Sequence, residues 1–212
     1  MKKIIKGIIV TALVVLLPAI GNTCVFRCYH LWVLQGIGVL ASVLQPDYNP
    51  FKISAQRKDK WTGAQIVWSV YLTQLAAIIE ATYFRYPRSM QWDLIAIAAL
   101  VCVTLGLALR TWSVRTLGSY FTMHIDIQKG HRIIAAGPYK YLRHPSYTGA
   151  LIMYLMTITV LHSWFSLVAA TIILPMAFAR RIHYEEGLLR NRFGNEYKIY
   201  CRKTKKMLPR IW

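Results

Sequence analysis

Charged side chains are scarce in this sequence, and acidic ones are the scarcest. Charged residues make up 16% of the 212 residues, whereas hydrophobic residues make up 56%. Eight acidic residues stand against 26 lysines and arginines, which gives a net charge of +18. Such a chain has too few polar groups to cover the surface of a soluble globule. The composition therefore excludes an ordinary soluble domain and predicts a membrane protein.

Cysteine is also sparse, and its spacing excludes the common zinc sites. The four cysteines form no CxxC pair, and none stands at a zinc-binding distance from a histidine pair. The sequence therefore predicts no metal site. Cys24 and Cys28 are free thiols or, if their compartment is oxidising, a disulfide pair.

Long apolar runs dominate the rest of the chain and predict an all-α, polytopic transmembrane helical bundle. Several of the runs are shorter than the roughly 20 residues that cross a bilayer, so they require flanking residues or a thinned membrane. About six spans are expected, at residues 4–20, 31–44, 64–84, 94–109, 147–161 and 164–179.

Lysine and arginine are distributed very unevenly among the connections between these runs. The amino terminus, alternate connections and the carboxyl-terminal segment carry 23 of them, and the intervening connections carry 3. By the positive-inside rule, both termini are cytoplasmic. Topology thus explains the net charge without nucleic-acid binding. The first run is read as an uncleaved signal anchor because no clear small-x-small cleavage site follows it.

The connection at residues 110–144 carries the first candidate chemistry, which faces the cytoplasm in this topology. Gly137, Pro138 and Tyr139 form a turn signal that lets backbone approach a ligand closely. Arg143 and His144 precede Pro145, which suits the first position of a helix. The amino end of that helix attracts anions. The carboxylate of S-adenosylmethionine and the phosphates of membrane lipids both fit this pattern.

A second cluster follows the last apolar run. Arg181 and Glu185 are four residues apart and therefore share a helix face. They form either a functional pair or a juxtamembrane ion pair of little energetic consequence. Glu80, an acid within the third run, is a functional suspect by its depth, although a structural pairing explains it equally well.

Several motifs resemble one enzyme family. Residues 130–149 read GHRIIAAGPYKYLRHPSYTG and are similar to the cofactor-binding signature of isoprenylcysteine carboxyl methyltransferases and related phospholipid methyltransferases. Glu185-Glu186, Phe193-Gly194 and Leu208-Pro209 resemble the rest of the family pattern in the same order. The similarity covers residues 109–212. It divides the chain into amino-terminal membrane helices, 1–109, and a methyltransferase core, 110–212.

The resemblance implies the cofactor S-adenosylmethionine and a lipophilic or prenylated acceptor that enters from the bilayer. Arg181 would hold an acceptor carboxylate bidentately, and Glu185 would fix the arginine. Arg143 would support either the turn or the cofactor's carboxylate. The residues implied for cofactor binding are His131, Gly137, Tyr139, Arg143, His144, Tyr147 and Glu186.

Other functions remain open at this stage. A phospholipid or other lipid amine would replace the carboxylate acceptor if Glu185 took a proton. A membrane sterol-type reductase using NADPH would share the carboxyl-terminal pattern, and a transporter would share the six spans. The expected location is a prokaryotic inner membrane or the endoplasmic reticulum, among membrane lipids.

Overall fold

The computed structural model describes residues 2–46, 60–122, 130 and 132–207. Within this part of the chain the secondary structure is helical, apart from one isolated bridge between Leu142 and Lys205. The α-helices are α1 Lys2–Val15, α2 Tyr29–Leu44, α3 Thr62–Ile79, α4 Leu94–Leu117, α5 Pro145–Val160, α6 Trp164–Phe193 and α7 Asn195–Lys203. A π-helical turn, Glu80–Phe84, continues α3, and 3₁₀ helices lie at Leu17–Ala19, Thr23–Arg27, Arg88–Met90, Gly118–Tyr120 and Gly137–Lys140.

Three helical segments are long and apolar enough to cross a membrane: Thr62–Phe84, Leu94–Tyr120 and Trp164–Phe193. The other predicted runs coincide with α1, α2 and α5, which have 14, 16 and 16 residues. These helices are shorter than the roughly 20 residues of a full span. The all-α prediction is confirmed, and the number of six spans stays a prediction.

Two helices extend beyond the apolar runs that predicted them. The fourth run was expected to end at residue 109, but α4 continues to Leu117 and ends at Gly118, whose φ is +53°. The sixth was expected to end at residue 179, but α6 continues to Phe193 and ends at Gly194, whose φ is +52°. Glycine tolerates this left-handed conformation, which stops each helix. The predicted division at residues 109 and 110 therefore lies inside α4 and stays a prediction.

Helices α4 and α5 cross in close contact. A Cβ atom on Gly106 would lie 2.8 Å from the Gly149 carbonyl oxygen, and one on Gly149 would lie 2.6 Å from the Gly106 oxygen. Backbones approach this closely only where side chains are absent. The crossing brings Arg110 of α4 against the first turns of α5.

The connections gather into two groups at opposite ends of the bundle. At one end the Tyr83 hydroxyl donates to the Pro18 carbonyl, and the Asn22 amide donates to the Thr82 carbonyl, both at 2.9 Å. At the other end the Gln45 amide donates to the Thr111 hydroxyl at 3.1 Å. Of the residues that the structure describes, more lysines and arginines lie at the second end, in agreement with the alternating charge pattern.

Glu80 begins the π-helical turn after α3 and is almost fully buried. Its carboxylate accepts hydrogen bonds from the backbone amides of Phe165 and Ser166 at 3.2 and 2.8 Å, and from the Ser166 hydroxyl at 2.7 Å. These amides belong to the first turn of α6, where intrahelical acceptors are lacking. Glu80 therefore caps α6 from a neighbouring helix.

Candidate active site

The predicted turn is a 3₁₀ helix, Gly137–Lys140, packed against the end of α4. Gly137 has a φ of +54°. A Cβ atom there would also lie 3.1 Å from the Thr116 hydroxyl oxygen and 3.4 Å from Nε1 of Trp112. Both the conformation and the close packing favour glycine at this position. Gly137 thus shapes the turn. It is not among the residues that line the cleft between this turn, α5, α6 and α7.

Helix α5 begins as the sequence predicts, with His144 at the N-cap and Pro145 at the first helical position. The residues after α7 close over this start. The amides of Arg143 and His144 donate to the carbonyls of Lys205 and Lys206 at 2.7 and 3.0 Å. Sequence reasoning missed this bracing segment, Thr204–Met207, because no local pattern pairs it with a turn 60 residues earlier.

Arg143 supports the turn. Its Nε donates to Glu186 Oε1 at 2.8 Å, and its Nη1 donates to the carbonyls of Cys201 and Thr204 at 3.2 and 2.6 Å. Glu186 is buried and also lies 3.3 Å from Nε2 of His144. Of the two roles that the resemblance implied for Arg143, the contacts favour support of the turn. Glu186 holds Arg143 and His144 in place. It is not among the residues that line the cleft between the turn, α5, α6 and α7.

The two predicted catalytic residues are joined by a third side chain. Arg181 Nε donates to the Tyr147 hydroxyl at 2.8 Å, and that hydroxyl donates to Glu185 Oε2 at 2.7 Å. Arg181 is buried and also donates to the Thr62 hydroxyl at 3.3 Å. We expected Glu185 to fix Arg181, and the structure links the two side chains through the Tyr147 hydroxyl of α5.

Two clefts meet at this chain of hydrogen bonds. The first encloses about 880 Å³, part of it open to solvent, between the turn, α5, α6 and α7. The second encloses about 490 Å³ between α3, α4, α5 and α6, and is lined mainly by apolar side chains such as Ile66, Val67 and Phe178. Tyr147 and Arg181 line both clefts. A ligand in either cleft therefore reaches the same two side chains.

Buried tyrosines line the first cleft. Burial raises the pKa of Tyr139, Tyr197 and Tyr200 well above the usual value, and the negative charge of Glu185 adds to the effect at Tyr139. The Tyr200 hydroxyl donates to the Tyr139 carbonyl at 2.8 Å, which ties α7 to the turn. These phenols stay protonated at neutral pH and present neutral, partly apolar walls.

The structure brings together most of the side chains that the sequence singled out. Lining the first cleft are Tyr139, Arg143, His144, Tyr147, Arg181 and Glu185. The His144 ring stacks on Tyr147, with centroids 5.6 Å apart and planes inclined by 10°. His131 lies outside the described residues. Among those residues, no three His, Cys, Asp or Glu side chains are arranged to hold a metal ion.

Comparison with known proteins finds one family. Residues 97–191 match the profile of the isoprenylcysteine carboxyl methyltransferase family. A probable protein-S-isoprenylcysteine O-methyltransferase from Oryza sativa subsp. indica is 36% identical over 149 residues, which cover 69% of this chain and 77% of that protein. The chain belongs to the isoprenylcysteine carboxyl methyltransferase family. The predicted resemblance is confirmed.

Other members of this methyltransferase family show how far the similarity extends. Protein-S-isoprenylcysteine O-methyltransferase B of Arabidopsis thaliana is 32% identical over 143 residues, which cover 66% of this chain and 72% of that protein. The fold matches the solved structure of a eukaryotic intramembrane Ras methyltransferase of the family with a TM-score of 0.67 at 22% identity. That match covers 95% of this chain and 74% of the other.

Proposed function

We propose that the protein is an integral membrane enzyme that transfers a methyl group from S-adenosylmethionine to the carboxylate of a lipophilic acceptor, such as a carboxyl-terminal prenylated cysteine. The observation that carries the proposal is the hydrogen-bonded chain from Arg181 through Tyr147 to Glu185, at the junction of two clefts. Family membership supports the same reaction class.

The first cleft has the chemistry to hold S-adenosylmethionine, since it combines aromatic walls with a few polar side chains. Tyr139 and Phe193 offer apolar and aromatic surface to a purine ring, and His144 offers a polar contact. When bound, the cofactor would supply the methyl group from its sulfonium centre, and the sulfur would leave as a neutral thioether.

The residues of the protein contribute positioning. A carboxylate oxygen is already anionic, so its attack on a methyl group needs alignment and the exclusion of water more than a base. Arg181 is held by Tyr147 and Thr62, so its guanidinium is oriented before an acceptor arrives. An amine acceptor would instead require Glu185 to take a proton while that carboxylate accepts from Tyr147.

The second cleft is the proposed acceptor site. Its apolar walls fit a lipid chain, and Arg181 at its junction with the first cleft fits the carboxylate. In this arrangement the acceptor enters from the bilayer, and the cofactor enters from the basic end of the bundle. By the positive-inside rule that end and both termini are cytoplasmic, in six spans.

The test is calorimetric titration of the purified protein with S-adenosylhomocysteine, with NADPH as the paired control. We expect saturable binding of the first ligand and none of the second. Labelled methyl transfer in detergent should then favour an S-farnesylated cysteine over phosphatidylethanolamine. Binding of NADPH alone would support a reductase, and methylation of the lipid amine alone would replace the carboxylate acceptor.

Two variants extend this experiment to the proposed catalytic residues. Arg181→Ala and Glu185→Ala should retain S-adenosylhomocysteine binding while turnover falls, since Arg181 lines the proposed acceptor cleft and Glu185 is linked to it through Tyr147. A variant that stays fully active would remove its residue from the proposal. His144→Ala should weaken binding of S-adenosylhomocysteine, because His144 lines the first cleft and stacks on Tyr147.

A further inference from the structure

Arg110 is a buried cation within a candidate membrane helix. It lies seven residues before the end of α4, Leu94–Leu117, and therefore about 10 Å below the end of the helix. The residue is 8% exposed. A charge buried in the protein is costly unless it pairs with another group or serves a ligand.

Within the described chain, Arg110 has one hydrogen-bond partner and no carboxylate partner. Its Nη1 donates to the Ser146 carbonyl at 3.2 Å. A guanidinium carries five N–H donors, so most of its donor capacity remains for other groups. A single neutral carbonyl does not compensate a buried positive charge.

Arg110 faces the second cleft, which is also lined by Arg181. Among the described residues that line this cleft, these two are the only charged ones, and both are cations. They come from different helices, α4 and α6. Two buried cations that line one cleft favour an anion there over an ammonium group.

We infer that Arg110 is a specificity-determining residue that binds the anionic group of the acceptor in the cleft it shares with Arg181. The inference rests on the proposed function and assigns a second guanidinium to the same acceptor. A carboxylate has two oxygens with about four acceptor sites, so it can accept from both arginines. The close crossing at Gly106 and Gly149 holds α4 and α5 at the distance that places Arg110 there.

The experiment compares a carboxylate ligand with its neutral analogue in full-length protein purified in detergent. The acceptor is S-farnesyl-N-acetylcysteine, and the competitor is its carboxamide, which has the same lipid chain and no charge. Arg110→Gln removes the charge and keeps an amide that can donate to the Ser146 carbonyl. Arg115→Gln makes the same change at an exposed position of the same helix. S-adenosylhomocysteine titration reports whether each variant retains its fold.

Arg110→Gln should raise the KM of the carboxylate by about tenfold or more, while the inhibition constant of the carboxamide changes by less than about twofold. Arg115→Gln should leave both values unchanged. Arg110→Lys keeps the charge and should keep the preference for carboxylate over carboxamide, which provides a second test if the glutamine variant does not fold. An equal loss for both ligands would show that Arg110 only supports Ser146, and an unchanged ratio would also overturn the inference.

Failure of the proposed function would be distinguishable from failure of the inference about Arg110. If the unaltered protein methylates phosphatidylethanolamine and not the farnesylated cysteine, the reaction assignment is wrong. Direct calorimetric binding of the carboxylate and the carboxamide then still tests Arg110. A preference of the unaltered protein for the carboxylate that disappears in Arg110→Gln supports the inference. The absence of any preference in the unaltered protein overturns it.

Discussion

Among single residues, Tyr147 connects the two halves of the candidate active site. Its hydroxyl accepts from Arg181 and donates to Glu185, while its ring stacks on His144 and contacts Phe178. One side chain thus orients the arginine of the proposed acceptor site and packs against a residue of the proposed cofactor cleft. Removal of the hydroxyl alone should separate these two roles.

Tyr147→Phe should lower kcat by about 10- to 100-fold and change the affinity for S-adenosylhomocysteine by less than about threefold. The ring contacts remain, but Arg181 loses a hydrogen bond that fixes its orientation. Steady-state kinetics with a farnesylated cysteine and calorimetric titration measure the two effects. Tyr141→Phe, at an exposed position, is the matched control. Unaltered turnover in Tyr147→Phe would show that the bridge has no part in the reaction.

Glu186→Gln should weaken both cofactor binding and stability. Glu186 is the buried partner of Arg143, and it also accepts from the half-exposed Arg190. Loss of its charge leaves a buried arginine without compensation, which costs about 3–5 kcal/mol in comparable pairs. Thermal unfolding and S-adenosylhomocysteine titration measure the change, with the exposed Glu196→Gln as control. Equal melting temperatures for the two variants would contradict this role.

Spacing placed Arg181 and Glu185 on one helix face, because residues four apart lie together, and the family resemblance implied their catalytic roles. It placed Tyr147 only in the cofactor cleft. The hydroxyl bridge depends on the packing of α5 against α6, which is a tertiary contact without a local signal. Arg110 was missed as a site residue for the same reason, since its neighbours in the cleft come from other helices.

At the scale of helices, the structure depends on groups that one helix supplies to another. Glu80 follows α3 and caps the first turn of α6. Gly106 and Gly149 allow α4 and α5 to touch through their backbones. Each contact fixes the position of a helix that carries residues of the candidate active site.

Glu80→Ala should destabilise the protein by about 1–3 kcal/mol, because two amides and one hydroxyl of α6 lose their buried acceptor. Glu80→Gln keeps an acceptor oxygen and should cost less. Thermal unfolding in detergent measures both, with Glu196→Ala as the exposed control. A melting temperature of Glu80→Ala equal to that of the control would show that water or another group replaces the cap.

Gly149→Ala should force α4 and α5 apart, since its Cβ atom would lie 2.6 Å from the Gly106 carbonyl oxygen. Overpacking of this kind typically costs about 1–3 kcal/mol. Turnover should fall as well, because Tyr147 and Arg110 stand on the separated helices. Gly36→Ala is the control, as a Cβ atom there meets nothing within 4 Å. A variant as stable and active as this control would show that the crossing adjusts freely.

Hydropathy predicted where the helices lie and not where they end. Apolar runs report the part of a helix that faces lipid, whereas α6 continues 14 residues beyond the predicted end at residue 179, to Phe193. Its polar extension carries Arg181, Glu185 and Glu186. The glycines that end α4 and α6 do so through positive φ angles, and the sequence alone does not distinguish them from the other glycines.

For the molecule as a whole, the distribution of basic residues and the grouping of connections agree. Among the described residues, the end that contains the candidate active site carries Lys3, Lys60 and the basic segment after α6, and the other end holds Cys24 and the turn between α5 and α6. The alternation of charge therefore predicted which connections would lie together. It could not predict the pairing of residues 204–207 with the start of α5.

Cysteine labelling in sealed vesicles tests this orientation. Cys24 is exposed, and Lys140 lies exposed at the basic end. In a background without the other cysteines, Cys24 should react with a membrane-impermeant thiol reagent only from the non-cytoplasmic side. A cysteine introduced by Lys140→Cys should react only from the cytoplasmic side. The opposite pattern would reverse the assigned topology and place the candidate active site outside the cytoplasm.

The bracing segment, Thr204–Met207, also determines when during synthesis the candidate active site can be completed. Residues 204–207 follow every described membrane helix in chain order, yet their carbonyls complete the turn at Arg143 and His144. During synthesis, all these helices leave the ribosome before residues 204–207 can complete this turn. A chain interrupted after α6 would therefore lack the carbonyls that brace the start of α5, and with them a complete form of the proposed cofactor cleft.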